Sequence, residues 1–74
     1  MTLDNISENE VCKILKISSN NELKQRFYSF GIIKGAVIEV IKISFAKNTL
    51  EILVDDTSIG MRIQEASQIT VEKL

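Results

Sequence analysis

A chain of 74 residues forms one domain, and no linker, low-complexity tract or internal repeat divides residues 1–74. Nine Lys and Arg against ten Asp and Glu give a formal net charge of −1, so there is no electrostatic reason to coat nucleic acid or an anionic membrane. His is absent and there is one Cys, which excludes a Ser-His-Asp or Cys-His enzyme and a Cys/His zinc site within this chain.

The first strand is predicted over residues 11–17, where apolar and polar side chains alternate. Cys12 and Ile14 point to one face and Leu15 to the other. Because free Cys packs like a small apolar side chain, Cys12 is expected to be a buried structural thiol.

A helix is predicted over residues 20–30. Ser19 and Glu22 match the S-x-x-E capping box that begins a helix. Gly31 follows as a left-handed C-cap. One apolar helical face is formed by Leu23, Phe27 and Phe30.

The remaining chain alternates in the manner of strands, since Ile and Val suit a pleated surface. Strands are predicted over 36–44, 49–54, 57–62 and 69–72, with a hairpin loop at 45–48, a turn at Asp55-Asp56 and one helical turn over 63–67. Five strands and one short helix indicate a mainly β fold that closes into a small barrel, because closure removes exposed sheet edges. The expected core comprises Leu23, Phe27, Phe30, Ile38, Val40, Ile52, Val54, Ile59, Met61 and Ile69.

Four pieces of the chain resemble, in order, the pattern of the FeoA family of ferrous iron transport proteins. The stretch from 26–35 (RFYSFGIIKG) into the following strand is similar to its R-L-x-x-L-G-[LIV]-x-P-G-x-x-[IVL]-x-V signature, and the matched positions are Arg26, Gly31, Ile32, Gly35, Ile38 and Val40. Residues 59–62 resemble L-[AS]-L-[RG], residues 65–71 resemble E-A-x-x-I-x-V, and residues 2–6 resemble T-L-x-x-L. Lys34 stands where the family often has Pro, and 46–48 stand where many members have G-D-P.

The resemblance implies an SH3-like β-barrel and an accessory role in bacterial ferrous iron uptake. It implies that the chain binds the cytoplasmic part of the FeoB-type iron transporter, a membrane protein with a GTP-binding domain. No cofactor, catalytic activity or direct membrane insertion is expected, and the protein is expected in the cytoplasm, peripheral to the inner membrane only through the transporter.

The expected contact surface is the helix end and the turn after it, with two further apolar side chains. Tyr and Arg are frequent in binding hot spots, and a turn presents side chains outside the sheet pairing. The predicted partner-binding residues are Arg26, Tyr28, Ile33, Lys34, Phe45 and Leu53. Arg26 alternatively pairs with Glu22 one helical turn earlier. The same surface could also give a weak homo-oligomer.

No residue set predicts a metal site. Asp55 and Asp56 favour a turn, and the other acidic residues have no spacing that makes them converge on it. Since ferrous iron also favours imidazole or thiolate ligands, no tight iron site is expected.

Two other functions remain open at this stage. The chain resembles the SH3-like C-terminal domain of iron- or manganese-dependent repressors, whose helix-turn-helix and metal ligands these 74 residues lack. A nucleic-acid-binding barrel is the weaker alternative, because it needs a basic face interleaved with aromatic side chains.

Overall fold

A computed structural model describes all 74 residues, and it confirms a mainly β fold with five strands. Alternating apolar residues form the strands, and the predicted boundaries differ from the observed ones by one residue or none. The elements are a 3-10 turn at Leu3–Asn5, β1 at Val11–Ile17, α1 at Asn21–Ser29, β2 at Val37–Ser44, β3 at Thr49–Val54, β4 at Thr57–Arg62, α2 at Ile63–Ala66 and β5 at Ile69–Lys73.

All strand pairs are antiparallel, and the order across the sheet is β4-β3-β2-β1-β5. The predicted closure is wrong, because β4 and β5 lie at opposite ends of this order and do not pair. The one-turn helix α2 connects them instead of a hydrogen-bonded ladder.

Two register shifts interrupt the regular alternation and were not predicted. Ile14 pairs with Val71 whereas Lys16 pairs with Thr70, so Leu15 is an extra residue in β1. A similar shift lies between Val40 and Lys42 in β2. Such bulges bend a strand and increase its twist, which curves the sheet around its core.

Helix α1 begins one residue later than predicted, and the Ser19–Glu22 capping box is wrong. Asn20 is the N-cap, and its side-chain Oδ1 accepts a hydrogen bond from the Leu23 backbone N–H at 2.8 Å. Asn is as good a cap as Ser, so the neighbouring residue takes the position. The Ser19 hydroxyl is buried and has no hydrogen-bond partner.

One apolar core packs against the curved sheet, and most of the predicted core residues are buried in it. Leu23 is only partly buried, packed against the core. Prediction missed the contribution of the N-terminal segment and of the residue after Gly31. The buried residues are Leu3, Ile6, Cys12, Ile14, Ile17, Phe27, Ile32, Ile38, Val40, Leu50, Ile52, Val54, Ile59, Met61, Ala66, Ile69 and Val71.

Phe30 was predicted to be buried, and it is 47% exposed. It is the C-cap of α1, with φ −96° and ψ 1°. Because Phe30 is outside the regular helix, helical spacing no longer determines where its side chain points. Ile32, which is fully buried, packs into the core in its place.

Replacing Phe27 by Ala should lower the free energy of unfolding by about 3–5 kcal/mol, because it removes a buried aromatic ring. Chemical denaturation measures this change. The matched control is Tyr28→Ala on the same helix, whose side chain is 45% exposed and whose truncation should cost far less. Equal losses for the two variants would contradict the placement of Phe27 in the core.

Candidate functional site

The end of α1 turns sharply at Gly31, which has φ 84°. The Gly31 N–H donates to the Tyr28 carbonyl at 3.0 Å, and the Ile32 N–H donates to the Phe27 carbonyl at 2.9 Å. These two bonds form a Schellman motif, in which the residue after the turn packs against the last helical turn. Phe27 and Ile32 are both buried. Gly31 is the left-handed residue directly after the C-cap Phe30, so the prediction that it ends the helix is confirmed.

The turn after Gly31 presents Ile33 and Lys34 at the surface. Since Ile32 is committed to the core, Ile33 points outward and is 47% exposed. A second positive φ at Gly35, 91°, reverses the chain into β2, and the Gly35 N–H donates to the Ile14 carbonyl at 2.7 Å. The turn is therefore bonded to α1 at one end and to β1 of the sheet at the other.

A groove of about 380 Å³ lies along this turn. Val37, at the start of β2, is 53% exposed there and was not among the predicted site residues. The groove is half apolar and carries one cation and one anion. Its lining residues are Gly31, Ile33, Lys34, Gly35, Ala36, Val37, Val54 and Asp55.

Leu53 lies on the outer face of the sheet, as predicted, and it is half-buried. Its direct partner on β2 is Glu39, which in turn pairs with Val11 of β1. Val37 is two residues before Glu39, so it is the diagonal neighbour of Leu53 on the same face. The strand register therefore extends the apolar surface from the groove toward Leu53 and Val11.

Arg26 does not pair with Glu22 and does not line this groove. Its Nη1 lies 3.8 Å from Oε2 of Glu65 in α2. Oε1 of the same carboxylate accepts a hydrogen bond from the Arg62 backbone N–H at 2.9 Å. Arg26 lines a separate groove of about 540 Å³ beside β3 and β4, so the structure does not bring it together with Ile33 and Lys34.

The other two predicted site residues are exposed but stand apart from the groove lining. Tyr28 lies on α1 and is 45% exposed. Phe45 lies in the four-residue loop between β2 and β3 and is 83% exposed. Of the six predicted residues, the structure brings only Ile33 and Lys34 into one groove, with Leu53 on the adjoining sheet face.

Asp55 and Asp56 form the two-residue loop between β3 and β4, as predicted. Their φ values, 47° and 67°, are both left-handed, which is the backbone of a type I′ hairpin turn. Asp tolerates this conformation better than most residues. No three His, Cys, Asp or Glu side chains cluster in a way that could hold a metal ion.

Cys12 is fully buried in β1, which confirms the structural role predicted for its thiol. Burial, together with the smaller effect of the nearby Glu10 carboxylate, raises the pKa of the Cys12 thiol to about 11. The folded state therefore disfavours the thiolate, the form that reacts with electrophiles.

Iodoacetamide should alkylate the native protein at pH 8 only as fast as it unfolds, and mass spectrometry measures this rate. Because the unfolded chain loses the thiol proton at lower pH, the Cys12 contribution to stability should be lost as pH rises from about 9 to about 11. Cys12→Ala should lack that part of the pH dependence. Rapid alkylation of protein that is folded by circular dichroism would contradict the assignment.

None of the helices is both long and apolar enough to cross a membrane.

The FeoA domain model matches residues 1–73. The chain is 31% identical over 74 residues to a putative Fe(2+) transport protein A of Helicobacter pylori strain 26695, covering 99% of this chain and 97% of that protein. It is 31% identical over 71 residues to a putative Fe(2+) transport protein A of Campylobacter jejuni, covering 96% of each.

Solved structures match the fold over the whole chain. The solution structure of a FeoA protein from Chlorobium tepidum has a TM-score of 0.93 at 22% identity and is covered to 70%. A manganese-dependent transcriptional repressor has a TM-score of 0.92 at 17% identity, and this chain covers 36% of it. These likenesses confirm the SH3-like fold.

Proposed function

The chain belongs to the FeoA family, and from this premise we propose that it is a cytoplasmic accessory protein of ferrous iron uptake. It acts by binding the cytoplasmic part of a FeoB-type transporter and has no catalytic step of its own. It is peripheral to the inner membrane only through that transporter. The similarity to the putative Fe(2+) transport proteins A of Helicobacter pylori and Campylobacter jejuni supports the role in iron transport.

The observation that carries the binding proposal is the groove along the turn after Gly31. Ile33 and Val37 are each about half exposed although both are large apolar side chains. Lys34 and Asp55 border them, so a partner can gain apolar contact and a charged contact at one place. Exposed apolar patches with a polar rim mark interaction sites.

The turn is also suited to binding because its backbone is ordered before any partner arrives. The Schellman motif holds one end, and the hydrogen bond from Gly35 to Ile14 holds the other. A preordered surface loses little conformational entropy on association, which improves affinity. When bound, the protein can shift the conformational equilibrium of the transporter only by the difference between its affinities for the two conformational states of the transporter.

Ile33→Asp should weaken binding to the cytoplasmic part of a FeoB-type transporter at least about tenfold, equivalent to about 1.4 kcal/mol, because it places a carboxylate in the apolar contact. Isothermal titration calorimetry measures the affinity. The matched control is Leu15→Asp, an apolar side chain of similar exposure, 39%, in the β1 bulge outside the groove. Tyr28→Ala tests whether the contact extends onto α1.

All variants must first give the circular dichroism spectrum of the parent. Equal affinities of Ile33→Asp and the parent would place the contact elsewhere. Failure of the parent to bind even the intact transporter in membranes would overturn the proposed function.

A second function is favoured by the fold match to the manganese-dependent repressor. In that case the domain would regulate a DNA-binding chain rather than a transporter. Ferrous iron uptake by cells lacking the gene separates the two: loss of uptake restored by this chain supports the transport role, and unchanged uptake with altered repression supports the regulatory one.

A further inference from the structure

The two edges of the open sheet differ in whether another segment of the chain covers them. At the β5 edge, the N-terminal segment pairs with the strand: the Val71 N–H donates to the Met1 carbonyl at 2.9 Å, and Thr2 forms a bridge with Thr70. At the other end, β4 pairs with β3 and with no other strand. Uncovered strand edges are templates for pairing with another chain.

The hairpin geometry determines which backbone groups of β4 point away from β3. In a two-residue hairpin the flanking residues, here Val54 and Thr57, exchange both hydrogen bonds, and every second residue does the same. The N–H and C=O groups of Ser58, Gly60 and Arg62 therefore point to the free edge. The Arg62 N–H accordingly takes no part in the ladder with β3 and donates a hydrogen bond to the Glu65 carboxylate instead.

Ser58 and Gly60 remain available at this edge. Neither takes part in any backbone hydrogen bond outside the strand ladder, and both residues are exposed. A Cβ added to Gly60 would meet no atom within 4 Å. Small side chains on an open face allow another backbone to approach closely.

We propose that β4 pairs antiparallel with β4 of a second copy of this chain, centred on Ile59, so that two sheets join into one. In this register Ser58 lies opposite Gly60 of the second copy, and the outward backbone groups of both are paired. Ile59 lies opposite Ile59 of the second copy on the core face, where it is 7% exposed.

Charge selects the second copy and this register. With Ile59 at the centre, Arg62 at the end of β4 faces the turn residue Asp56 of the second copy, which comes one residue before β4 begins, and the two-fold symmetry forms this contact twice. Neither side chain forms an ion pair within its own chain. Centring the pair on Ser58 or on Gly60 instead places no cation opposite an anion, because Arg62 and Asp56 then face uncharged residues.

The contact is short, with about four backbone hydrogen bonds, and it buries far less area than a stable dimer needs. The dimer should therefore be weak, with a dissociation constant of about 0.1–1 mM. It uses a different surface from the groove along the turn and does not depend on the transporter.

Sedimentation equilibrium and nuclear magnetic resonance dilution of the full chain test the proposal. The amide signals of Ser58 and Gly60 should shift with concentration and report dimer formation. Gly60→Pro removes an N–H that β3 does not use, so the hairpin should persist while association falls at least tenfold. Gly60→Ala is the matched control, because it keeps the N–H and should still associate.

The charge contact is tested by two further variants, Arg62→Glu and Asp56→Lys. Each places like charges opposite each other in its own dimer, so each should be monomeric. Their equimolar mixture restores opposite charges at both contacts and should associate as the parent does. Any of three results would overturn the proposal: a monomeric parent at millimolar concentration, association that survives Gly60→Pro, or no association in the mixture. The proposal would also be overturned if the β4 edge bound a transporter peptide but not a second copy of this chain.

Discussion

The turn at Gly31 is the constraint on which the position of α1 and the candidate site depend. Left-handed backbone at this residue lets the chain fold back so that Ile32 packs with Phe27 in the core. The left-handed φ strains any residue with a Cβ, and a Cβ at Gly31 would also lie in van der Waals contact with Cγ1 of Val54, at 3.4 Å. The same turn that buries Ile32 therefore exposes Ile33 beside the end of β3.

The sequence predicted the elements well because their signals are local. Alternation identified all five strands, and glycine after an apolar helical face located the end of α1. The bulge at Leu15 escaped prediction because a register shift is decided by the neighbouring strand, which a single-strand pattern does not contain. Leu3 and Ile6 escaped for a similar reason: their burial follows from the N-terminal segment lying along β5.

The site was predictable in part. The prediction is limited because residues that are close along the chain need not be close in the folded structure. Ile33 and Lys34 share a groove because one turn carries both. Arg26, only a few residues earlier, leads to a different groove because its helical direction brings it to Glu65. Alternation with the buried Ile38 places Val37 on the outer face of β2, but only the folded turn shows that it shares a groove with Ile33, and so it was missed.

The free energy of unfolding of Gly31→Ala, compared with that of Gly60→Ala, tests the central role of the turn most directly. Ala at position 31 must adopt a left-handed φ beside Val54, so we expect a loss of about 1–2 kcal/mol. Gly60 has no such φ and has open space, so Ala there should be neutral or stabilising. Equal stabilities of the two variants would contradict the account, because the turn would then not require glycine.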